Sequence, residues 1–597
     1  MIFSVFIKDL LFPLSKSHRK SLVYLIGLSM LSMVVVTAGV GVIIPMVAIV
    51  IDEKFHENFP LLIKVVQGVG IGGKKELVTV FVILFFILIC LKAAVTLLIV
   101  ATQKRLTAEI RVHITSYLFG HLIRLPFGFH MAENSAKILR NLTTDVSAYI
   151  RSLEAVVVLI TESLLVLALF AVLTVVDPAG LALILLLVVG AVPIYVRKIQ
   201  SKITSWGRKF RKEAAEMTRH TQQALGGIKE IKVLSREQYF EELFKTSNAR
   251  LVDYERRYSI VQAIPVNALE VLVALGLIGI LISAHFAGRD LDELLPILAV
   301  FLASAVRLAP ALARMVAAIQ SLRYIQASMS ALVERLKQRD PIDLPTRPSA
   351  VSRDSLIDWQ TMKIKDLSFT YPTRTSFALQ DVSLTLLRGT SLGIIGESGS
   401  GKSTLVDIIL GLNERYDGSI SLDGVDLNES LIAWRNQIGY VPQAVYLIDD
   451  TIKRNIAFGI EAESVDLDRL ERAIRSAQLS DFVNGLEDGV DSIVGERGAR
   501  ISGGQQQRIG IARALYRNPS VLILDEATSA LDSKTETEFM STISAMKGSL
   551  TMIIIAHRLT TLKHCDRLIR LDQGKIVATG SYQDLVGTPV DPVVGKP

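Results

Sequence analysis

The sequence predicts a multi-domain chain: an all-α polytopic membrane domain, whose six transmembrane helices extend into the cytosol, followed by an α/β domain. Three observations carry this. Long uncharged apolar runs fill the first half. A Pro- and Ser-rich stretch after Arg339 interrupts them. Beyond it, short β-branched runs alternate with helical segments, the pattern of a mainly parallel sheet. Of 597 residues, 50% are hydrophobic and 21% charged, which excludes a disordered or fibrous protein. The net charge of +7 would ordinarily raise nucleic acid as a partner, but so apolar a chain places its basic residues at a membrane surface, so no nucleic-acid partner is expected. Two cysteines, Cys90 and Cys565, supply neither a disulfide framework nor a cysteine metal cluster.

Ser21 to Ile51 carries no charged residue, longer than the ~20 residues that cross a bilayer and too long for a signal-peptide core. This is a first span with no cleavable leader. Further spans are expected at about 77–101, 155–176, 179–196, 260–287 and 294–319, with Asp177-Pro178 as the turn between the third and fourth. Lys8, Lys16, Arg19 and Lys20 precede the first span, and Lys104, Arg105, Arg111, Arg197, Lys198, Lys202, Arg208 and Lys209 lie in two long connections. The positive-inside rule puts these, and both termini, in the cytosol. The two connections are apolar-periodic and poor in Gly and Pro, so they read as spanning helices continuing past the bilayer. Residues 56–74 hold a short apolar cluster that suits either an amphipathic helix on the outer leaflet or a segment packed on its own protein.

The membrane domain is thus expected over 1–335, a linker over 336–360, the α/β domain over 361–585 and a tail over 586–597. Strands are expected at Ser391–Ile395, Ile438–Val441, Val521–Leu524 and Met552–Ile555. At the end of the first strand, Gly396-Glu397-Ser398-Gly399-Ser400-Gly401-Lys402-Ser403 satisfies G-x-x-x-x-G-K-[ST] before a helix that opens with Thr404. Glycines let consecutive backbone N–H groups wrap phosphates at a helix N-terminus. Lys402 suits the β- and γ-phosphates, and the Ser403 hydroxyl suits Mg²⁺. ATP and Mg²⁺ are the expected ligands. Asp525, closing a buried strand, suits the acid that orients the metal; Glu526 is placed to polarise an attacking water, and His557, ending the next strand, to contact the γ-phosphate.

Ile501-Ser502-Gly503-Gly504-Gln505, with the phosphate loop and Asp525-Glu526, resembles the Leu-Ser-Gly-Gly-Gln signature of the ATP-binding cassette (ABC) transporters, with Ile for Leu at the first position. The resemblance implies that Tyr371 stacks on adenine, that Gln443 senses Mg²⁺ and the membrane domain, and that Ser529-Ala530-Leu531-Asp532 is the D-loop. It implies a switch role for His557. It also implies a half-size exporter acting as a dimer, most simply a homodimer, in which Ser502, Gly503 and Gly504 of one cassette reach the nucleotide held by the other. Closure of the cassettes would then act on the cytosolic connections near Leu125 to Ser135 and Thr221 to Ile231, with hydrolysis at Glu526 resetting the cycle. The expected location is a bacterial inner membrane, with the cassette cytosolic.

Ionisable residues inside spans are costly and point to function. Lys92 lies in the second span, and Arg307 and Arg314 lie seven residues apart on one face of the sixth. A cavity lined by them would draw an anionic head group such as a diphosphate. Pairing with Glu162 and Glu270, or Arg314 reaching the cytosolic edge, is the alternative. Arg307-Leu308-Ala309-Pro310, the run Asn436–Gln443 and the apolar segment after the first span are similar to the bacterial flippases of lipid-linked (polyprenyl-diphosphate) oligosaccharide in protein N-glycosylation. That resemblance implies a lipid-linked anionic substrate drawn from membrane lipid. A multidrug or lipid exporter would keep the same cassette, and an ATP-gated channel would be expected to have lost Glu526, His557 or Ser502.

Overall fold

The computed structural model describes residues 8–51, 74–176, 178–286, 291–337, 357–371, 376–413, 415–528, 533–556 and 558–586. Side chains at 175–192 and 283–297 fall outside the description. The expectations for 56–73, for the turn at Asp177, for most of the linker and for the C-terminal tail after 586 therefore lie outside the described residues. The chain divides into two compact units: Met1–Leu125 with Glu133–Ile342, and Pro126–Ala132 with Asp343–Pro597.

The first unit is built on six long helices: α1 (Lys16–Ile51), α2 (Lys74–Arg124), α3 (Val146–Val176), α4 (Pro178–Gly226), α5 (Glu237–Phe286) and α6 (Leu291–Lys337). The 51 residues of α2 span about 75 Å at helical rise, more than twice a hydrocarbon core. The helices therefore run well beyond the apolar segments, as their charged second halves suggested. Among the described residues, stretches of α1, α2, α3, α5 and α6 are long and apolar enough to cross a membrane; most of the fourth expected span falls where side chains are not described.

Helix α6 packs most extensively on α3, α1 on α2, and α5 on α4. Val40, Val166, Leu169, Leu173, Leu308 and Ala311 form one buried seam between α1, α3 and α6. Leu25, Leu28, Val95, Ile99 and Val157 form another between α1, α2 and α3. Small residues on α6 allow its close approach. One polar staple stands out: Asp145, fully buried in a short π-helical turn (Asn141–Asp145), accepts from Arg211 Nε and Nη2 at 3.3 and 3.1 Å, and Arg140 lies 3.7 Å away. The ion pairs compensate a carboxylate that burial would otherwise penalise. Short helices occupy Phe127–Ala132 and Ile228–Val233, within the two connections singled out in the sequence.

The second unit contains two sheets. A six-stranded sheet has the order β10-β9-β3-β8-β7-β6, formed by β3 (Ser391–Ile395), β6 (Ile438–Val441), β7 (Val521–Asp525), β8 (Thr551–Ile555), β9 (Arg567–Asp572) and β10 (Lys575–Gly580). All neighbours are parallel except β9 and β10. The central strands β3, β7 and β8 are buried along their whole length, as a sheet covered on both faces requires. A second, antiparallel sheet joins β2 (Leu379–Leu387), β1 (Thr361–Phe369), β4 (Asp417–Leu422) and β5 (Val425–Asp426); it was not anticipated. Trp359, assigned from sequence to the linker, is fully buried against Trp434, ring centroids 5.6 Å apart, so the cassette core begins just before β1.

Candidate functional site

The phosphate loop, Gln443, Asp525 and Glu526 collect at the C-terminal ends of parallel strands, where α/β sheets place ligands. Strand β3 ends at Ile395, and helix α7 (Lys402–Ile409) begins after the glycine loop. Gly401 caps that helix at φ 104°, and a Cβ there would come 2.7 Å from the Ala378 carbonyl; at Gly396 it would come 2.2 Å from the Leu571 carbonyl. Only glycine fits either position. Lys402 Nζ donates to the carbonyls of Gly396 and Glu397 at 2.8 and 2.7 Å, holding the ammonium across the loop it must serve. Ser400 Oγ is buried and, among the described residues, has no partner, so the loop retains an unmet polar atom where a phosphate would sit. Ser398 and Gly399 lie exposed at the tip, Ser403 is exposed in the first turn of α7, and Thr404 is buried beside it. The Tyr371 hydroxyl lies 3.2 Å from Thr404 Oγ1, and the Tyr371 ring meets Phe369 edge to face.

The acidic end forms because β6, β7 and β8 are neighbours in register. Asp525 ends β7 and is 8% exposed. Glu526 follows at φ 49°, a strained left-handed backbone pinned by its N–H to the Ile555 carbonyl at 2.9 Å. Gln443, two residues beyond β6, donates from Nε2 to Glu526 Oε2. Burial, then the Glu526 charge, pushes the Asp525 carboxyl up, against the opposing pull of Lys402. Asp407 of α7, which sequence reasoning missed, is pushed up to about 6 by burial and by Asp525. Crowded, partly desolvated carboxylates fit a divalent cation. No group of three His, Cys, Asp or Glu side chains converges among the described residues, so Mg²⁺ would be held by Asp525, Ser403 and Gln443 together with phosphate oxygens and water.

Also missed was Glu536, which is 8% exposed and accepts from Thr528 Oγ1 at 2.9 Å, Thr561 Oγ1 at 2.8 Å and Arg558 Nη1 at 2.5 Å. It ties together residues flanking His557 and Ser529–Asp532, which themselves lie outside the described residues. No local signal marked it: Glu536 is one polar residue in a polar helix start, and its partners lie 8 to 25 residues away.

Ser502 is the N-cap of helix α8 (Gly503–Tyr516) in a capping box: its Oγ accepts from the Gln505 N–H at 3.3 Å, and Gln505 Oε1 accepts from the Ser502 N–H at 2.8 Å. Ser502 and Gly503 are exposed, with Gly504 and Gln505 half-buried beside them. A helix N-terminus of this kind presents backbone amides that suit an anion.

In the membrane unit, a cavity of about 470 Å³ is lined by Lys92 from α2, Thr161 and Glu162 from α3, Ser29 and Ser32 from α1, and Arg307, Pro310 and Arg314 from α6. The three cations expected from sequence are thus brought together. Arg314 forms a fork with Glu162, Nε to Oε1 at 2.6 Å and Nη2 to Oε2 at 3.0 Å. Lys92 lies within electrostatic range of Arg307 and Arg314, and among the described residues neither Lys92 nor Arg307 has a carboxylate at ion-pair distance. Glu270 does not line this cavity.

Residues 22–302 match the ABC transporter transmembrane region, and residues 379–529 match the ABC transporter cassette family. The chain is 28% identical to the ATP-dependent lipid A-core flippase of Escherichia coli strain K12 over 555 residues, covering 92% of this chain and 93% of that protein. Identity to the ATP-dependent lipid A-core flippase of Pectobacterium atrosepticum is also 28%, over 484 residues, 81% of this chain and 82% of that one. The fold is similar to a bacterial Atm1-family ABC exporter solved with ATP bound, with a TM-score of 0.78 over 95% of this chain and 96% of that one, at 24% identity. Spanning helices followed by one cassette with its phosphate loop make this chain a member of the ABC transporters, a half-size exporter and multi-pass membrane ATPase that couples hydrolysis of ATP, with Mg²⁺, to transport.

Proposed function

We propose that the chain works as a homodimer in a bacterial inner membrane and flips a lipid-linked, diphosphate-bearing oligosaccharide. The observation that carries this reading is the cavity: two cations that have no carboxylate at ion-pair distance among the described residues, Lys92 and Arg307, stand beside a third, Arg314, in a space between spanning helices. Charges kept unpaired at such depth are costly, and an anionic headgroup repays that cost. The similarity to proteins named lipid A-core flippases supports a glycolipid cargo.

Lys402 and the loop amides bind the phosphates, Tyr371 packs on the base, and Ser502 with Gly503 and Gly504 completes the partner cassette's site. Bound Mg²⁺ supplies charge neutralisation at the phosphates. Glu526 takes a proton from the attacking water, while Gln443 orients the Glu526 carboxylate through its hydrogen bond and His557 contacts the γ-phosphate. ATP binding favours one arrangement of the spans and hydrolysis the other, so the headgroup is exposed alternately to the two sides.

A second reading, in which the cargo is a lipid A-type glycolipid, is favoured by the relatives' names. ATPase stimulation separates them. Full-length protein in lipid vesicles should respond to a polyprenyl-diphosphate oligosaccharide more strongly than to lipid A. Lys92→Ala with Arg307→Ala should bring the ratio of stimulated to unstimulated rate down to about one. Equal or stronger stimulation by lipid A, or a response that survives the double variant, would overturn the proposal.

A further inference from the structure

We propose that Glu162 is a specificity-determining residue of the membrane cavity: it presents Arg314 to the headgroup and sets the charge that the cavity accepts. This role rests on the diphosphate-lipid reading of the same site.

Among the described residues, three cations and one carboxylate line the cavity, leaving two positive charges per protomer. The carboxylate is not placed to cancel all three cations evenly. Glu162 engages one edge of the Arg314 guanidinium, through Nε and Nη2, and Nη1 takes no part in the fork. The Arg314 side chain remains 52% exposed while that of Glu162 is 13% exposed, so the carboxylate backs the arginine and the arginine faces the open space. A guanidinium is a rigid, planar donor set, and fixing one edge orients the other. Arg314 therefore meets a phosphate with its remaining edge pre-oriented, while Lys92 and Arg307 approach as charges that have no carboxylate partner among the described residues.

The residual charge matters because mismatched charge between spanning helices is poorly screened. A diphosphate esterified at both ends carries about two negative charges at neutral pH, a sugar-bearing monophosphate diester about one, and a bare terminal diphosphate closer to three. The cavity's surplus matches the first of these. Without Glu162 it would match the third, and without Arg307 it would match the second.

The test uses the full-length dimer in zwitterionic phospholipid vesicles and three probes on one polyprenyl tail: a diphosphate disaccharide, a monophosphate with the same disaccharide, and the bare diphosphate. Half-stimulating concentrations for ATPase are compared within each variant. Wild type should favour the diphosphate disaccharide. Glu162→Gln should shift the ratio toward the bare diphosphate by roughly tenfold or more, and Glu162→Asp should keep the wild-type order. Arg307→Gln should shift preference toward the monophosphate, which keeps the test decisive should Glu162→Gln fail to assemble. If wild type responds but the order is unchanged in the charge variants, the role of Glu162 is overturned and the diphosphate-lipid reading stands. If wild type responds to none of the three probes, both fall.

Discussion

Gln443 Nε2 donates to Glu526 Oε2 at 2.5 Å, joining residues 83 positions apart at the mouths of adjacent parallel strands. The bond orients the carboxylate that follows the buried Asp525. With Glu526 as base, Glu526→Gln should lower steady-state ATPase by about 10²- to 10⁴-fold while nucleotide binding persists. Parallel measurements of turnover and equilibrium ATP binding check this; turnover within threefold of wild type would remove Glu526 from the chemistry.

Glu536 accepts hydrogen bonds from Thr528, Thr561 and Arg558 while nearly buried. Removing a buried carboxylate partner leaves donors and a cation uncompensated. Glu536→Ala should therefore cost about 3 kcal/mol of cassette stability, read as a fall in unfolding midpoint. Glu536→Gln, which keeps the size and one acceptor, should be milder, and should reduce kcat more than it raises KM for ATP.

Asp145 is buried beneath Arg211 and Arg140 in the helical unit. Burial, then the neighbouring Arg211, pulls the Arg140 guanidinium below its ordinary range, and Asp145 pulls it back. Asp145→Asn should destabilise the membrane unit by about 3 kcal/mol, measured by thermal unfolding in detergent. A loss under about 0.5 kcal/mol, typical of an exposed pair, would contradict a structural role for this staple.

Asp407 is held protonated to a higher pH than an ordinary carboxyl, up to about 6, by burial and by Asp525. A raised folded-state value means that its favourable contribution is present below the unfolded carboxylate range and is lost as pH rises through about 6. Asp407→Asn should thus change the unfolding midpoint least below about pH 4 and raise it progressively from there to pH 8. The gain should be on the order of 1 kcal/mol after allowance for solvent screening. The comparison is made without nucleotide or Mg²⁺; equal midpoints at pH 8 would count against it.

The legible parts of the molecule were those with local signatures. The glycine loop, the acid at the end of a β-branched run and the signature run Ile501–Gln505 are each written within a few residues, and the first two fall where a parallel sheet gathers them. The antiparallel sheet was not legible, because β1 alternates unevenly across register shifts and β5 is only two residues long. Asp407 and Glu536 were missed for a related reason: each matters through partners distant in sequence, and neither disturbs its helix. For Arg314, sequence posed pairing with Glu162 and service in a cationic cavity as alternatives. The structure pairs Arg314 with Glu162 and also places it in the lining of the cavity, since a guanidinium can give one edge to a carboxylate and keep another clear of it.

The central claim is that the cationic cavity carries a diphosphate-linked lipid headgroup, and translocation tests it most directly. Purified dimer in vesicles, supplied with a fluorescent polyprenyl-diphosphate oligosaccharide on one leaflet, should move it to the other leaflet only with ATP and Mg²⁺. Lys92→Ala with Arg307→Ala should abolish that movement. Translocation that proceeds undiminished in the double variant, or wild-type protein that moves neutral lipids at the same rate, would contradict it.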